Sequence, residues 1–127
     1  MRSIKTHKVT GLNELLLIQV LDAPGHGGAS HQYQIRKFVR NEDDSTADVE
    51  LVQIHFQNGP IAEHGVNGVS NESLLAIVRD RLDCFQRGPF ACHENQMALE
   101  HIIAAMASLR LRTRDRIARG VEGTHEK

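Results

Sequence analysis

The sequence has little net charge, few aromatic residues and no long apolar run. Its 127 residues include 15 Lys or Arg and 16 Asp or Glu, which gives a net charge of −1. Aromatic residues make up 4% of the sequence and include a single tyrosine. Proteins that bind nucleic acid over a whole face are usually strongly basic, so this composition disfavours that class. No apolar segment approaches the length of a membrane span, and the N-terminus lacks the pattern of a signal peptide. Any anion-binding site must therefore be local.

Cysteine is scarce, and the motifs of common enzymes are missing. Cys84 and Cys92 flank a predicted turn, and we favour reduced, half-buried packing residues in a cytosolic protein over a disulfide. There is no G-x-S-x-G and no H-E-x-x-H. The glycines of segment 25–28 lack the Lys and Ser or Thr of a phosphate-binding loop and indicate a strand connection. The clustered His93, Glu94, Glu100 and His101 lack the Glu-x-x-His spacing of carboxylate metal bundles. We therefore predict no enzyme, no catalytic residue, no cofactor and no metal.

The hydrophobic pattern predicts an α+β fold, and the length of the chain predicts a single domain, 1–127. Segments 5–12, 15–22, 31–40 and 49–57 are candidate strands of an N-terminal antiparallel β-sheet over residues ~5–57. In the last strand Val52, Ile54 and Phe56 alternate with polar residues, which is typical of a sheet with one packed and one wet face. Segment 41–48 is an acidic turn. The sheet part ends at 61, and a soft connector of turn residues follows over 62–70.

Two helices predicted over ~71–87 and ~92–119 form a C-terminal antiparallel hairpin within 71–119, with a tail over 120–127. Ser70 or Asn71 can cap the first helix, and Gly120 ends the second. At 1.5 Å per residue the helices are about 25 Å and about 42 Å long. Because both start from the same turn, the second helix overhangs the first beyond Ser108. Most of the overhang's charge comes from arginines, which are Arg110, Arg112, Arg114, Arg116 and Arg119.

The arginine-rich helix end has two interpretations. Cations near a helix C-terminus interact favourably with the helix dipole, so a solvated end is one of them. In the other, the planar guanidinium groups of Arg112 and Arg116 bind phosphate oxygens in a bidentate way. These residues alone do not decide between the two.

The hairpin resembles a known family over residues 66–125. The specific pieces are FQ at 85–86, GPFAC at 88–92, EN at 94–95, RTR at 112–114 and GVEGTH at 120–125. Two earlier pieces are also similar, FQNGP-I at 56–61 and GVNG at 65–68. They resemble the phage-encoded anti-Thoeris proteins, the first Thoeris anti-defence family. The hairpin of that family is related to that of phage anti-CBASS sponges. His93 stands where the family leads us to expect arginine, and Ser108 where members often carry tryptophan.

The resemblance implies a non-catalytic sponge. Such proteins sequester cyclic ADP-ribose-type signals, above all glyco-cyclic ADP-ribose, in the cytoplasm of the infected bacterial host, and so block Thoeris defence. By motif, Phe85 would stack on the adenine, Asn95 would hydrogen-bond the ligand, and Arg112 and Arg116 would hold the phosphates. Some members hold cyclic di- or trinucleotides (CBASS-type signals) in a second site, for which Arg119, Thr124 and His125 are the candidates here.

The predicted site residues lie too far apart in one chain to contact the same small nucleotide. Asn95 and Arg112 lie about 26 Å apart along the helix axis, which no small nucleotide spans. A site that uses both ends must combine the turn of one subunit with the arginine end of another. Two antiparallel copies would form it twice by symmetry. We therefore expect a homodimer or a higher assembly such as a hexamer, with no membrane and no nucleic acid polymer among its partners.

Two other functions remain open. The arginine helix could bind a nucleic acid backbone, which predicts a steep loss of affinity with salt. Alternatively, the protein is a structural homo-oligomer whose arginines pair with acidic residues of a neighbour, among them Asp43, Asp44 and Asp48. Reversing the charge of Arg112 and Arg116 separates these functions, because a sponge would lose its ligand and keep its assembly.

Overall fold

The computed structural model describes all 127 residues and has four strands followed by a helical hairpin. The strands are β1 (Arg2–Ile4), β2 (Leu16–Val20), β3 (Gln32–Arg40) and β4 (Thr46–His55). The helices are α1 (Leu12–Leu15), α2 (Ile61–His64), α3 (Asn71–Gln86) and α4 (His93–Ala118). The predicted α+β class, with the sheet before the hairpin, is confirmed.

The sheet is antiparallel throughout, with the strand order β1-β2-β3-β4. Residues directly opposite each other in neighbouring strands share a face. The register therefore collects apolar side chains on one face, namely Ile4, Ile18, Val20, Tyr33, Ile35, Val52 and Ile54. The other face is largely polar and carries Ser3, Gln19, Gln34 and Gln53. The predicted pattern of one apolar and one polar face is present. The apolar face is only partly buried, because Val20 is fully buried whereas Val52 is 43% exposed.

The predicted start of the sheet was wrong. Residues 5–12 do not form a strand; β1 precedes them and is only three residues long. A turn closes from Lys8 N to Lys5 O, and Gly11, with φ 60°, precedes α1. Strands that short show no periodicity, and glycine at a positive φ interrupts extended backbone.

The acidic turn is shorter than predicted, and β4 begins earlier. Asn41 N donates to Ser45 O at 2.8 Å, and β4 starts at Thr46. Asp48 therefore lies within β4, where its carboxylate accepts from Arg36 Nε across the strand pair at 2.6 Å. Aspartate is depleted in strands, so the sequence pattern placed this residue in the turn.

Asp22 organises the connection between β2 and β3. Its carboxylate accepts hydrogen bonds from His31 N at 2.9 and 3.1 Å and from Gln32 N at 3.0 Å, and Ser30 Oγ donates to its carbonyl. The Gln32 amide, and then that of His31, lower the pKa of Asp22 below its ordinary value. The glycine segment before Ser30 makes one 3-10 turn, His26–Gly28. It connects two strands, as predicted.

Hydrogen bonds order the predicted soft connector, 62–70. It includes all but the first residue of α2, and Asn67 pairs with the backbone of Asn58: Nδ2 donates to Asn58 O at 2.7 Å, and Asn58 N donates to Oδ1 at 2.8 Å. Gly68 is so close to Phe56 that an added Cβ would lie 2.4 Å from its carbonyl carbon. Turn residues were the only sequence signal here, and they do not reveal side-chain bonds to backbone.

The hairpin helices end close to the predicted positions. Ser70 caps α3 in a capping box, in which Ser73 N donates to Ser70 Oγ and Ser70 N donates to Ser73 Oγ, each at 3.1 Å. Gly120, with φ 73°, ends α4, and Val121 N donates to Arg116 O as in a Schellman motif. None of the helices combines the length and apolar composition needed to cross a membrane.

The chain forms two compact units. One comprises Met1–Asn58 and Val66–Gly68, and the other comprises Gly59–Gly65 and Val69–Lys127. Val20 is the buried apolar residue of the first, and Leu99 lies buried between the helices of the second. The single domain predicted from length stays a prediction.

Candidate functional site

The hairpin turn is fixed by one side chain, that of Gln86, to which no role was assigned from the sequence. Gln86 Oε1 accepts from Cys92 N, and Gln86 Nε2 donates to Cys92 O, both at 3.0 Å. Cys92 is the N-cap of α4 and has no side-chain cap of its own. The amide of Gln86 therefore sets how the chain enters α4. Cys84 and Cys92 are free thiols, but both are exposed, so the prediction that they are half-buried was wrong.

Phe85 is the centre of a small aromatic cluster at this turn. Phe90 meets it edge-on, with centroids 6.4 Å apart and planes at 75°. The guanidinium of Arg81 lies 5.0 Å from the centroid of the Phe85 ring, within cation–π distance. Phe85 is half-buried, whereas Phe90 is 72% exposed. The predicted base-stacking residue thus already has two neighbours, neither of which was assigned a role from the sequence.

Asn95 and Arg112 lie on the same uninterrupted helix but far apart. Asn95 is the third residue of α4 and half-buried, so it lies at the turn end with Phe85. Arg112 lies 17 residues further on and is exposed, which gives about 26 Å along the axis. Helix α4 has 26 residues and α3 has 16, so the arginine end of α4 extends past α3 as predicted.

Arg116 has an environment that the sequence did not predict. Its side chain is 7% exposed, and its Nε donates to Glu122 Oε2 at 3.0 Å. Nη2 donates to Val121 O at 2.8 Å and to Thr124 O at 3.2 Å, and Nη1 donates to Glu126 O. We call residues 120–127, which fold back over Arg116, the C-terminal tail. The only sequence signal for this fold-back was Gly120, which ends α4 and turns the chain.

The candidates for a second site lie at the same end of α4. Arg119 Nε pairs with Asp115 Oδ2 at 2.9 Å, and its Nη2 donates to Lys127 O. Thr124 Oγ1 donates to Val121 O, and His125 Nε2 lies 3.0 Å from Glu63 Oε1 of α2. Ala62 N also donates to Gly123 O, at 3.3 Å, so the tail is bound to α2. The structure thus brings these three residues and Arg116 together, with Phe85 and Asn95 at the opposite end of the hairpin.

Comparison with known proteins identifies the hairpin. The model of the family described as "Acb2/Tad1, hairpin domain" matches residues 48–114. The chain belongs to the Acb2/Tad1 hairpin family. It is also 44% identical over 103 residues to the protein named "Thoeris anti-defense 1" of Bacillus phage SBSphiJ7. That match covers 81% of this chain and 66% of the relative, just under two thirds of its length. The predicted relationship to anti-Thoeris proteins is confirmed.

The Acb2/Tad1 match includes part of the predicted site. Phe85, Asn95 and Arg112 fall within residues 48–114, and Arg116 and the C-terminal tail fall after it. Gln86 and Asn67, whose side chains fix two connections, lie within the same match. The family hairpin therefore contains both the turn and the first arginines of the overhang.

Proposed function

We propose that this protein is a non-catalytic sponge that sequesters cyclic ADP-ribose-type signals, glyco-cyclic ADP-ribose above all, and thereby blocks Thoeris defence in the cytoplasm of the infected bacterium. Two facts support the anti-defence role: membership of the Acb2/Tad1 hairpin family and 44% identity to a phage protein named "Thoeris anti-defense 1". The structural observation that carries the binding role is the arginine end of α4, which extends beyond α3. A sponge needs no catalytic group and no cofactor.

In this proposal each site residue has the role that its chemistry suits. Phe85 offers a ring face for the adenine, and Asn95 offers an amide for polar edges of the ligand. Arg112, whose side chain is exposed, binds phosphate oxygens directly. Arg116 binds phosphate after exchanging its tail partners for the ligand.

The two halves of the site come from different copies of the chain. The separation of about 26 Å along α4 exceeds the reach of one small nucleotide. In a homodimer with antiparallel α4 helices, the Phe85 end of one copy meets the Arg112 end of the other, and symmetry makes two sites. Apolar side chains left exposed on the hairpin, such as Ile77 and Val78, provide surface for such an assembly. Dimers can join further into a hexamer.

A second site for cyclic di- or trinucleotides is proposed at Arg119, Thr124 and His125. These groups already bond to Asp115, Val121 and Glu63. Ligand binding there would use the basic helix end together with backbone donors of the glycine-containing tail.

Native mass spectrometry with and without glyco-cyclic ADP-ribose tests this function. We expect at least a dimer, one nucleotide per composite site, and release of the intact nucleotide when the protein is heated. A hydrolysed product would contradict a sponge. A stable monomer that binds the nucleotide with full affinity would contradict the composite site.

A further inference from the structure

We infer that Glu122 is an internal competitor for the anion site of Arg116 and sets the minimum charge that a ligand needs there. The ligand class that meets this requirement carries two linked phosphates. The inference rests on the proposed function, because it concerns which nucleotides the same site accepts. Glu122 itself was assigned no role from the sequence.

The guanidinium of Arg116 is almost fully used within the chain. It has five N–H donors, and four hydrogen bonds to the C-terminal tail are present. Three of the acceptors are neutral carbonyl oxygens, and the fourth is the carboxylate of Glu122. Arg116 is 7% exposed and Glu122 41% exposed, so water reaches the acid more easily than the base. Of the two charges, the carboxylate is the one that can leave for solvent at lower cost.

Breaking this pair without replacing it leaves a buried positive charge uncompensated, which is strongly unfavourable. A neutral nucleoside cannot make that replacement. A phosphate can, because its oxygens accept two parallel N–H bonds from a guanidinium as a carboxylate does. A second linked phosphate adds negative charge where Arg112 can also bind it. The competition with Glu122 therefore favours ligands with two phosphates over those with one.

The chain around Glu122 suits such an exchange. Glu122 lies between Gly120, with φ 73°, and Gly123, with φ 80°, two residues without side chains. Glycine adopts many backbone conformations at little cost, so this short segment can move without disturbing α4. The remainder of the tail keeps its separate attachment through His125 and Glu63. Loss of this ion pair thus frees Arg116 Nε, while the end of the tail stays in place through His125 and the carbonyls bonded to Nη1 and Nη2.

Glu122→Gln tests the inference, because glutamine keeps an oxygen acceptor for Arg116 Nε and removes the charge. The probes are cyclic ADP-ribose, whose two phosphates carry one negative charge each, 3′,5′-cyclic AMP, whose single phosphodiester carries one, and adenosine, which carries none. Calorimetric titration should show cyclic AMP binding tightened at least about fivefold, about 1 kcal/mol by the affinity relation, with a smaller gain for cyclic ADP-ribose and none for adenosine. The preference for two phosphates over one should fall accordingly.

Two matched variants make the result specific. Asp115→Asn removes the same charge from the same helix end, but from the partner of Arg119, and should bind within about twofold of the wild type. Glu122→Asp keeps the charge and should retain the preference for two phosphates. If both Glu122 variants, or Asp115→Asn, gain affinity for cyclic AMP equally, the charge of Glu122 is not the cause. Equal or weaker cyclic AMP binding by Glu122→Gln overturns the inference as well.

The same titrations separate failure of the inference from failure of the function. A wild-type protein that binds neither cyclic ADP-ribose nor its glyco form overturns the proposed function. A wild-type protein that binds them, together with a Glu122→Gln variant of unchanged selectivity, overturns only the role of Glu122. Melting temperatures of all variants show whether the fold is intact, and a Glu122→Gln protein that fails to fold assigns Glu122 a purely structural role, against the inference.

Discussion

The side-chain amide of Gln86 pairs with the backbone of Cys92 through both of its polar atoms, each at 3.0 Å. An amide that both donates and accepts in this way substitutes for a peptide group and joins the end of α3 to the start of α4. Phe85 precedes Gln86 directly, and Asn95 follows Cys92 by three residues. The geometry of the proposed base-binding end therefore depends on this one contact.

Replacing Gln86 with alanine should destabilise the hairpin by about 1–3 kcal/mol, since two hydrogen bonds of about 0.5–1.5 kcal/mol each are lost. Urea unfolding measures the change, and hydrogen exchange at the Cys92 amide should accelerate. Gln96→Ala is a suitable control, because Gln96 is exposed and its amide makes only two long contacts, one at 3.4 Å from Gln86 and one at 3.2 Å to Glu100. Equal effects of the two variants would contradict the role of Gln86.

Gly68→Ala should destabilise the protein by about 1–3 kcal/mol, as expected for overpacking. The added Cβ would lie 2.4–2.6 Å from backbone atoms of His55 and Phe56, which cannot rotate away. In Gly88→Ala the nearest atom would be at 3.6 Å, an ordinary contact, so that variant serves as the control. Thermal unfolding of both compares them directly, and a Gly68→Ala protein as stable as Gly88→Ala would refute the clash.

The stability of the wild type should fall in acid partly because of Asp22. Its folded pKa lies below the unfolded value, since the Gln32 and His31 amides donate to the carboxylate. A depressed acid pKa contributes stability above the unfolded pKa, near pH 4, and loses it as the pH falls through the folded pKa. Asp22→Asn should therefore be less stable at neutral pH and show a flatter decline below about pH 4. Parallel pH profiles of unfolding free energy for the two proteins would contradict this.

Arg112→Ala and Arg116→Ala should differ in stability although both weaken nucleotide binding at least about tenfold. Arg112 is exposed, so its removal should change the free energy of unfolding by no more than about 0.5 kcal/mol. Arg116 supports the tail through four hydrogen bonds, and its loss should cost about 2 kcal/mol. Urea unfolding and calorimetric titration together test both statements. Equal stability of the two variants would mean that the tail does not depend on Arg116.

The helical hairpin could be predicted from sequence because its signals are local. Apolar residues recur at helical spacing, Ser70 caps α3, and Gly120 ends α4. The family resemblance likewise followed from motifs around 85–95 and 112–125. Strand β1 could not be found, because three residues carry no period, and neither could the early start of β4, where Asp48 is held by Arg36.

The candidate site was predictable only as a set of residue types. Sequence indicated that Arg116 is a cation on an exposed helix end, and the structure shows that the C-terminal tail, five to ten residues further along the chain, encloses it. Such a fold-back depends on contacts between side chain and distant carbonyls, which leave no periodic signal. Arg81, Phe90 and Glu122 were missed for the same reason. Their types are common on surfaces, and only their neighbours distinguish them.

Val20 and Leu99 are the large apolar side chains that one copy of the chain buries, whereas Val49, Leu51 and Ile77 remain exposed. In the proposed homodimer the exposed apolar side chains are buried between copies, so the equilibrium between folded and unfolded protein depends on protein concentration. The midpoint of thermal unfolding should then rise with protein concentration, by mass action between copies. If the protein is the proposed sponge, copies made early in infection, while still scarce, would be the least stable, and their capacity to hold nucleotides would last longer as the protein accumulates.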